Sequence, residues 1–219
     1  MFADLNKKRI LGVLAGRDLA ADRIAEWARS AEYVLAADGG ADILFENGIV
    51  PDITIGDFDS IRNSTKDVQH KLVYAPDQDS SDCDKLLSYA AELGYERITL
   101  CGAEGDEFDH VIGALLSAAR SLLEVRLITR RGTAFIMRGP TRMKLDLILG
   151  TRLSLLPITH CSLVTLQGVE WPLVDAELSP LGLVSLSNRT VNHVQVSLSN
   201  GVAALYLSHP ALEKPHWPD

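Results

Sequence analysis

From residue 9 to about residue 130, short apolar runs alternate with amphipathic stretches. "RILGVLA" leads into "LAADRIAEWARS", "YVLAAD" into "GGADILFENG", and "ITIGDFDS" into a polar segment followed by "KLVYAP". Then come "SDCDKLLSYAAELGY", "RITLCGA", "FDHVIGALLSAARSLL" and "VRLITR". The runs are strand-length and the stretches between them carry a helical spacing of apolar positions. Strand then helix, repeated, predicts a mostly parallel sheet flanked by helices.

Beyond Arg138 the texture changes. "MKLDLILGTRLSLLPI", "CSLVTLQGVEWPL", "GLVSLSN" and "VQVSLSNGVAALYLS" are strand-like, with partial alternation and turn signals, and no helical pattern stands out. Asn200-Gly201 between two such runs is a two-residue hairpin signal. A break at "RGPT" (138–141) therefore separates an α/β N-terminal domain, residues 1–138, from a C-terminal all-β sandwich or half-barrel domain, residues 139–219. The proline-rich tail "HPALEKPHWPD" predicts no regular structure.

Composition narrows the class. The chain has 219 residues, 47% apolar and 23% charged, enough for one large domain or two smaller ones. A net charge of −8 argues against a nucleic-acid or membrane-surface binder, which needs a basic face. It does not exclude anionic substrates, because a metal ion can supply positive charge locally. Cys83, Cys101 and Cys161 are odd in number and lack C-x-x-C spacing, so they read as reduced thiols. The N-terminal apolar run is too short for a signal peptide or a membrane span. A soluble, cytoplasmic protein is expected.

The chemistry collects at strand ends. In open parallel sheets ligands bind beyond the carboxyl ends of the strands. Asp38 ends "YVLAAD"; Asp57 and Asp59 follow "ITIG"; Asp77, Asp79, Asp82 and Asp84 follow "KLVYAP"; Glu104, Asp106, Glu107 and Asp109 follow "RITLCGA". All of this acid is delivered to one sheet edge. Between Glu46 and Glu92 every one of the eight acidic residues is aspartate. The shorter stem orders a carboxylate at lower entropic cost, which suits a hard cation. Mg²⁺ is usually held by one or two carboxylates plus substrate phosphates, so the cluster reads as a magnesium-phosphate site.

Each acid also has a plainer explanation. Aspartate favours turns and helix N-caps, and Ser81 with Asp84 fits a capping box ahead of "KLLSYAAEL". Asp57 and Asp59 resist that reading, because two near-adjacent carboxylates repel unless something positive screens them. Gly39-Gly40 brings backbone N–H groups toward an anion or marks a simple turn. Lys85 either neutralises phosphate or is a solvated surface lysine. His110 beside Asp109 orients a substrate or serves the helix start. Cys83, between two aspartates, has a raised pKa and is no nucleophile.

"AADGGA" (36–41), "GDFDS" (56–60), "PDQDSSDCDK" (76–85) and "GAEGDEFDH" (102–110) resemble, in order and spacing, the motifs of the thiamin pyrophosphokinase family. "GVEWPL" (168–173) and "SLSN" (185–188) extend the resemblance over nearly the whole chain. It implies an enzyme that moves the pyrophosphoryl group of ATP to the hydroxyl of thiamin, releasing AMP, with Mg²⁺ as cofactor. It implies a homodimer with sites at the subunit interface. Carried over, Asp57, Asp59 and Asp82 match the catalytic, metal-holding acids. Asp38, Gly39, Gln78, Lys85, Asp109 and His110 fall on the nucleotide and phosphate side, and Ser187 and Asn188 on the thiamin side.

The departures are specific. Asp106-Glu107 stand where the family usually has Gly-Arg, which reverses a charge near the phosphates. Ala114 stands at a frequent asparagine, and no tryptophan follows the "SN" pair closely. Arg17 and Arg130 are the candidate replacements for the missing guanidinium. Two alternatives stay open at this level: another alcohol as acceptor, or binding without turnover.

Overall fold

The computed structural model describes residues 8–17, 19–57, 71–75, 79–105 and 107–208. The chain divides after Arg130 into two compact units.

The first unit begins β1 (Ile10–Val13), α1 (Ala21–Ser30), β2 (Tyr33–Ala37), α2 (Gly40–Glu46), β3 (Ile53–Gly56) and β4 (Lys71–Tyr74). It continues with α3 (Asp82–Glu92), β5 (Arg97–Cys101), α4 (Phe108–Arg120) and β6 (Glu124–Thr129). The strands run in the order β6-β5-β1-β2-β3-β4, and every ladder among them is parallel. All four residues of β1 are buried, as a strand covered on both faces must be. On one face Leu11 and Val13 pack with Ile24 and Trp27 of α1 and Ile43 and Leu44 of α2. On the other, a Cβ added at Gly12 would lie 2.9 Å from Leu86 of α3 and 2.6 Å from Leu100. Helices therefore cover both faces.

Chain order moves outward from β1 to β4, then returns through α3 to β5 on the other side of β1. The crevice outside β1 and β5 is thus a topological switch point, where open α/β sheets bind ligands.

The second unit is all strand among the described residues: β7 (Gly132–Arg138), β8 (Thr141–Leu145), β9 (Arg152–Pro157), β10 (Cys161–Val169), β11 (Leu173–Leu178), β12 (Ser185–Leu198) and β13 (Val202–Ser208). Every ladder among them is antiparallel. The first part of β12 pairs with β9 and its later part with β8 and β10, so this 14-residue strand belongs to three ladders. Leu153 and Leu155 of β9 and Leu205 and Leu207 of β13 share a core with Val164 and Leu166 of β10 and Val194 and Val196 of β12.

Three sequence expectations need correction. The expected parallel ladders are confined to β1–β6; counted over all the described strands the ladders are mixed, not mostly parallel. The division lies between Arg130 and Arg131, ahead of β7, whereas the change of texture falls at 138–141. The reason is that β7 pairs along its whole length with β13, a partner far away in sequence. Finally, Asn200-Gly201 does not close a hairpin. β12 and β13 are not ladder partners; β13 lies between β7 and β9. Gly201 has φ +93, and its Cβ would stand 2.2 Å from the His160 carbonyl, so the glycine serves a close crossing between ladders.

Candidate functional site

The loops at the switch point are joined backbone to backbone. Leu14 N–H donates to the Cys101 carbonyl and Gly16 N–H to the Gly102 carbonyl, both at 2.9 Å. A Cβ at Gly16 would sit 2.2 Å from the Glu104 carbonyl, and one at Gly102 (φ +74) 2.3 Å from the Leu14 carbonyl. Only glycine allows this approach. Above this floor lies a cavity of about 520 Å³ whose polar lining includes Asp38, Asp57, Asp82, Lys85, Asp109 and His110. Gly39 lines it too.

Asp38 follows β2 with φ 37 and is 2% exposed, its N–H donating to the Ile55 carbonyl at 2.9 Å. Its carboxyl group lies against β3. A Cβ at Gly56 would stand 3.0 Å from the Asp38 Cβ and 3.2 Å from its Cγ. Gly56 is the last residue of β3 and still pairs with Tyr74, so it makes room for Asp38 in addition to preceding the turn. Asp57 follows directly. Of the two glycines after Asp38, Gly40 is fixed by packing, since its Cβ would meet the Val13 carbonyl at 2.2 Å.

The first turn of α3 supplies the next group. Ser81 caps the helix, accepting from Asp84 N–H at 3.1 Å, while Asp84 Oδ2 accepts from Ser81 N–H at 3.1 Å: the capping box expected from sequence. Asp84 also receives Arg120 Nη2 at 2.8 Å, which ties α3 to α4. Burial acts to raise the Asp84 pKa, but hydrogen bonds from Ser81, Arg120 and Ser117 outweigh it and hold the carboxyl below its usual range. Asp84 is thus occupied structurally, and Asp82 and Lys85 face the cavity instead. Lys85 Nζ is 3.3 Å from Asp82 Oδ1, with the lysine side chain only 8% exposed and the aspartate 45%. Cys83 is buried, which with Asp84 nearby pushes its thiol up to about 12, so it is inert.

Asp109 and His110 stand in the first turn of α4, joined by a 3.1 Å bond from His110 N–H to Asp109 Oδ1. Glu107 is the N-cap position, exposed and without a side-chain cap bond. Of the two candidate replacements for the missing arginine, Arg17 has its guanidinium engaged elsewhere. Arg17 grips Glu46 through two bonds of 3.0 and 3.1 Å, and the Arg130 N–H donates to Glu104 at 2.8 Å.

Ser187 and Asn188 belong to the second unit. Ser187 has φ 58 and accepts from Arg152 Nη2 at 2.7 Å. Asn188 is 1% exposed; its Oδ1 accepts from Trp171 N–H at 3.1 Å and Arg189 N–H at 2.9 Å, and its Nδ2 donates to the Trp171 carbonyl at 2.7 Å. Asn188 therefore clips the Trp171 backbone, and Trp171 is 57% exposed beside it. Sequence spacing could not show this, because the pairing spans 17 residues.

Asp59 and Gln78 lie outside the described residues. Among the described residues no three His, Cys, Asp or Glu side chains are grouped to hold a metal by themselves. Sequence reasoning missed Ser80, Gly102, Ala103 and Gly113 in the lining. Loop proximity across β1 and β5 carries that information, and it has no local signature. No helix of the described residues is long and apolar enough to cross a membrane.

Comparison with known proteins places these features in a group. The profile described as "Thiamin pyrophosphokinase, catalytic domain" matches residues 24–128, and "Thiamin pyrophosphokinase, vitamin B1 binding domain" matches residues 141–203. Thiamine pyrophosphokinase 2 of Arabidopsis thaliana is 30% identical over 193 residues, covering 72% of this chain and 71% of its own. Thiamin pyrophosphokinase 1 of Caenorhabditis elegans is 28% identical over 202 residues, 85% and 81% of the two chains. Solved structures of the thiamin pyrophosphokinases of Bacillus subtilis and Candida albicans share the fold. The first has TM-score 0.77 at 22% identity over 91% of this chain and 99% of its own; the second has TM-score 0.76 at 18% over 92% and 90%.

Proposed function

The chain belongs to the thiamin pyrophosphokinase family, and on that premise we propose that the cavity at the β1/β5 switch point is where ATP is bound and cleaved. The protein is an ATP-dependent diphosphotransferase that moves the pyrophosphoryl group of ATP to thiamin. The observation that carries the site assignment is the convergence of Asp38, Asp57, Asp82 and Lys85 on one cavity outside the strand ends.

The thiamin hydroxyl oxygen forms a bond to the β-phosphorus of ATP while the bond from that phosphorus to the α,β-bridging oxygen breaks, and AMP departs. Such a displacement demands in-line positioning and neutralised charge more than covalent catalysis. Lys85 supplies a cation from inside the cavity, where low polarity strengthens it. The first turn of the 11-residue α3 adds oriented backbone dipoles. The hydroxyl proton passes to a cavity carboxylate. The negative lining also favours thiamin, which is a cation.

Mg²⁺ fits this donor set. Asp57 and Asp82 are hard oxygen ligands on one cavity, and the ion takes one or two carboxylates plus phosphates, so a site incomplete without nucleotide is what the chemistry asks for. With Asp59, these are the residues that would hold it. When bound, it polarises the phosphoryl oxygens and neutralises charge that builds on the departing AMP.

Ser187 and Asn188 lie in the part that matches the vitamin B1 binding profile, which supports a thiamin-side role. Domain roles follow the same division: nucleotide and Mg²⁺ with the α/β part, thiamin and dimerisation with the β part. A homodimer with sites at the subunit interface belongs to the proposal, as does a cytoplasmic setting, which three free cysteines support. The test is incubation with ATP, Mg²⁺ and thiamin. AMP and thiamin diphosphate should appear together; AMP formed only with a different alcohol would sink the thiamin assignment.

A further inference from the structure

Gly113 is the sixth of the thirteen residues of α4. Glycine is the poorest helix former after proline, so a glycine inside a helix needs a reason. Two other cavity glycines have one in backbone crowding, since added Cβ atoms at Gly16 and Gly102 would meet carbonyl oxygens at 2.2 and 2.3 Å, and one at Gly39 would stand 3.2 Å from the Ala15 Cβ. Gly48 and Gly150 have open surroundings, but φ values of +68 and +81 account for them. Gly113 has neither excuse. It is helical, and a Cβ there meets no atom of the described residues within 4 Å. The space it leaves open belongs to the cavity, which Gly113 lines together with Asp109, His110 and Ala114. Those four positions, i, i+1, i+4 and i+5, share one helix face.

We infer that the face of the ATP nucleobase lies against α4 at Gly113, and that the missing side chain makes this residue a determinant of nucleotide fit. The inference rests on the assignment of the cavity to ATP. In mid-helix the backbone N–H and C=O groups are engaged in i to i−4 bonds, so this surface offers van der Waals contact and nothing to hold a phosphate. A flat aromatic face suits it, and close approach to a helix backbone is what glycine provides. The phosphates have their own partners in Lys85 and the first turn of α3. Thiamin also carries flat rings, but Gly113 falls within the match to the catalytic domain (24–128), outside the match to the vitamin B1 binding domain (141–203).

The test uses the full chain, with AMP and inorganic tripolyphosphate as separate titrants and melting temperature as a third readout. Gly113→Ala should raise the melting temperature by about 2–4 °C, because the helix improves and the space is open. The same variant should weaken AMP by about threefold, and Gly113→Leu by at least about tenfold. Tripolyphosphate affinity and the KM for thiamin should stay within about twofold in both variants. A merely structural glycine would not weaken AMP while stabilising the fold. Unchanged AMP affinity in both variants, or tripolyphosphate weakening in parallel, overturns the inference. If Gly113→Leu fails to fold, the alanine variant decides. Failure of the functional reading is seen separately, as wild-type protein that makes no thiamin diphosphate while still binding, or not binding, AMP.

Discussion

Lys85 Nζ lies 3.3 Å from Asp82 Oδ1, one turn apart at the start of α3, with the lysine nearly enclosed and the aspartate almost half exposed. On the proposed reading the enclosed ammonium is the cation that meets the phosphates, and its carboxylate partner offsets the cost of burying it. Lys85→Met should lower kcat/KM for ATP by at least about a hundredfold. Stability should change by less than about 1 kcal/mol, since Asp82 keeps its water. Steady-state kinetics with thermal melting check both halves, and near-normal activity would remove Lys85 from the site.

Asp57 and Asp82 face the same cavity and Asp84 does not. Asp57→Asn should reduce turnover by at least about a hundredfold. It should also raise the Mg²⁺ concentration needed for half-maximal rate. Removing divalent metal with a chelator should stop the wild-type enzyme and added Mg²⁺ should restore it. Full activity of Asp57→Asn at low Mg²⁺ would refute the metal assignment.

Asp84 makes the converse prediction. Asp84→Asn loses the charged half of the capping box and the Arg120 pair, and should lower stability by about 1 kcal/mol while folded molecules keep their activity. The folded-state pKa lies below the ordinary 3.8, so the carboxylate contributes stability above that value. That contribution disappears as pH falls through the lowered pKa. The melting gap between wild type and variant should therefore be constant from neutral pH down to about 5 and close in more acid solution. A gap that widened below pH 4 would contradict the sign.

Glu107 stands exposed at the N-cap of α4, where a carboxylate suits the helix dipole. Glu107→Arg should cost about 0.3–1 kcal/mol of stability and leave turnover unchanged or raised. A collapse in rate would show that Glu107 has its own catalytic part.

Asn188 holds the backbone N–H and C=O of Trp171 together. Asn188→Ala leaves both without that partner and should destabilise by about 1–3 kcal/mol. The KM for thiamin should rise with the KM for ATP unchanged. Equal loss for both substrates would mean that the clip matters only for folding.

The strand-end acids were legible because strand, turn and helix are local: Asp38, Asp57, Asp82 and Asp109 all line the cavity where the alternation placed them. The Ser81–Asp84 capping box was legible for the same reason. Features that depend on distant backbone were not. Gly56 looked like a turn residue, yet its missing Cβ seats the Asp38 carboxyl group from a neighbouring strand. Asn200-Gly201 carries a hairpin signature, but β13 is placed between β7 and β9, so the turn leads into another ladder. Asn188 matched a motif without revealing that its amide faces the Trp171 backbone. Gly113 drew no notice because its significance is the space beside it.

The most direct test of the central claim follows the β-phosphorus. With ATP labelled at that atom, Mg²⁺ and thiamin, one-step pyrophosphoryl transfer puts all the transferred label in thiamin diphosphate and none in AMP or ADP. Label retained in ADP would mean that only the terminal phosphate moves, and would contradict the account.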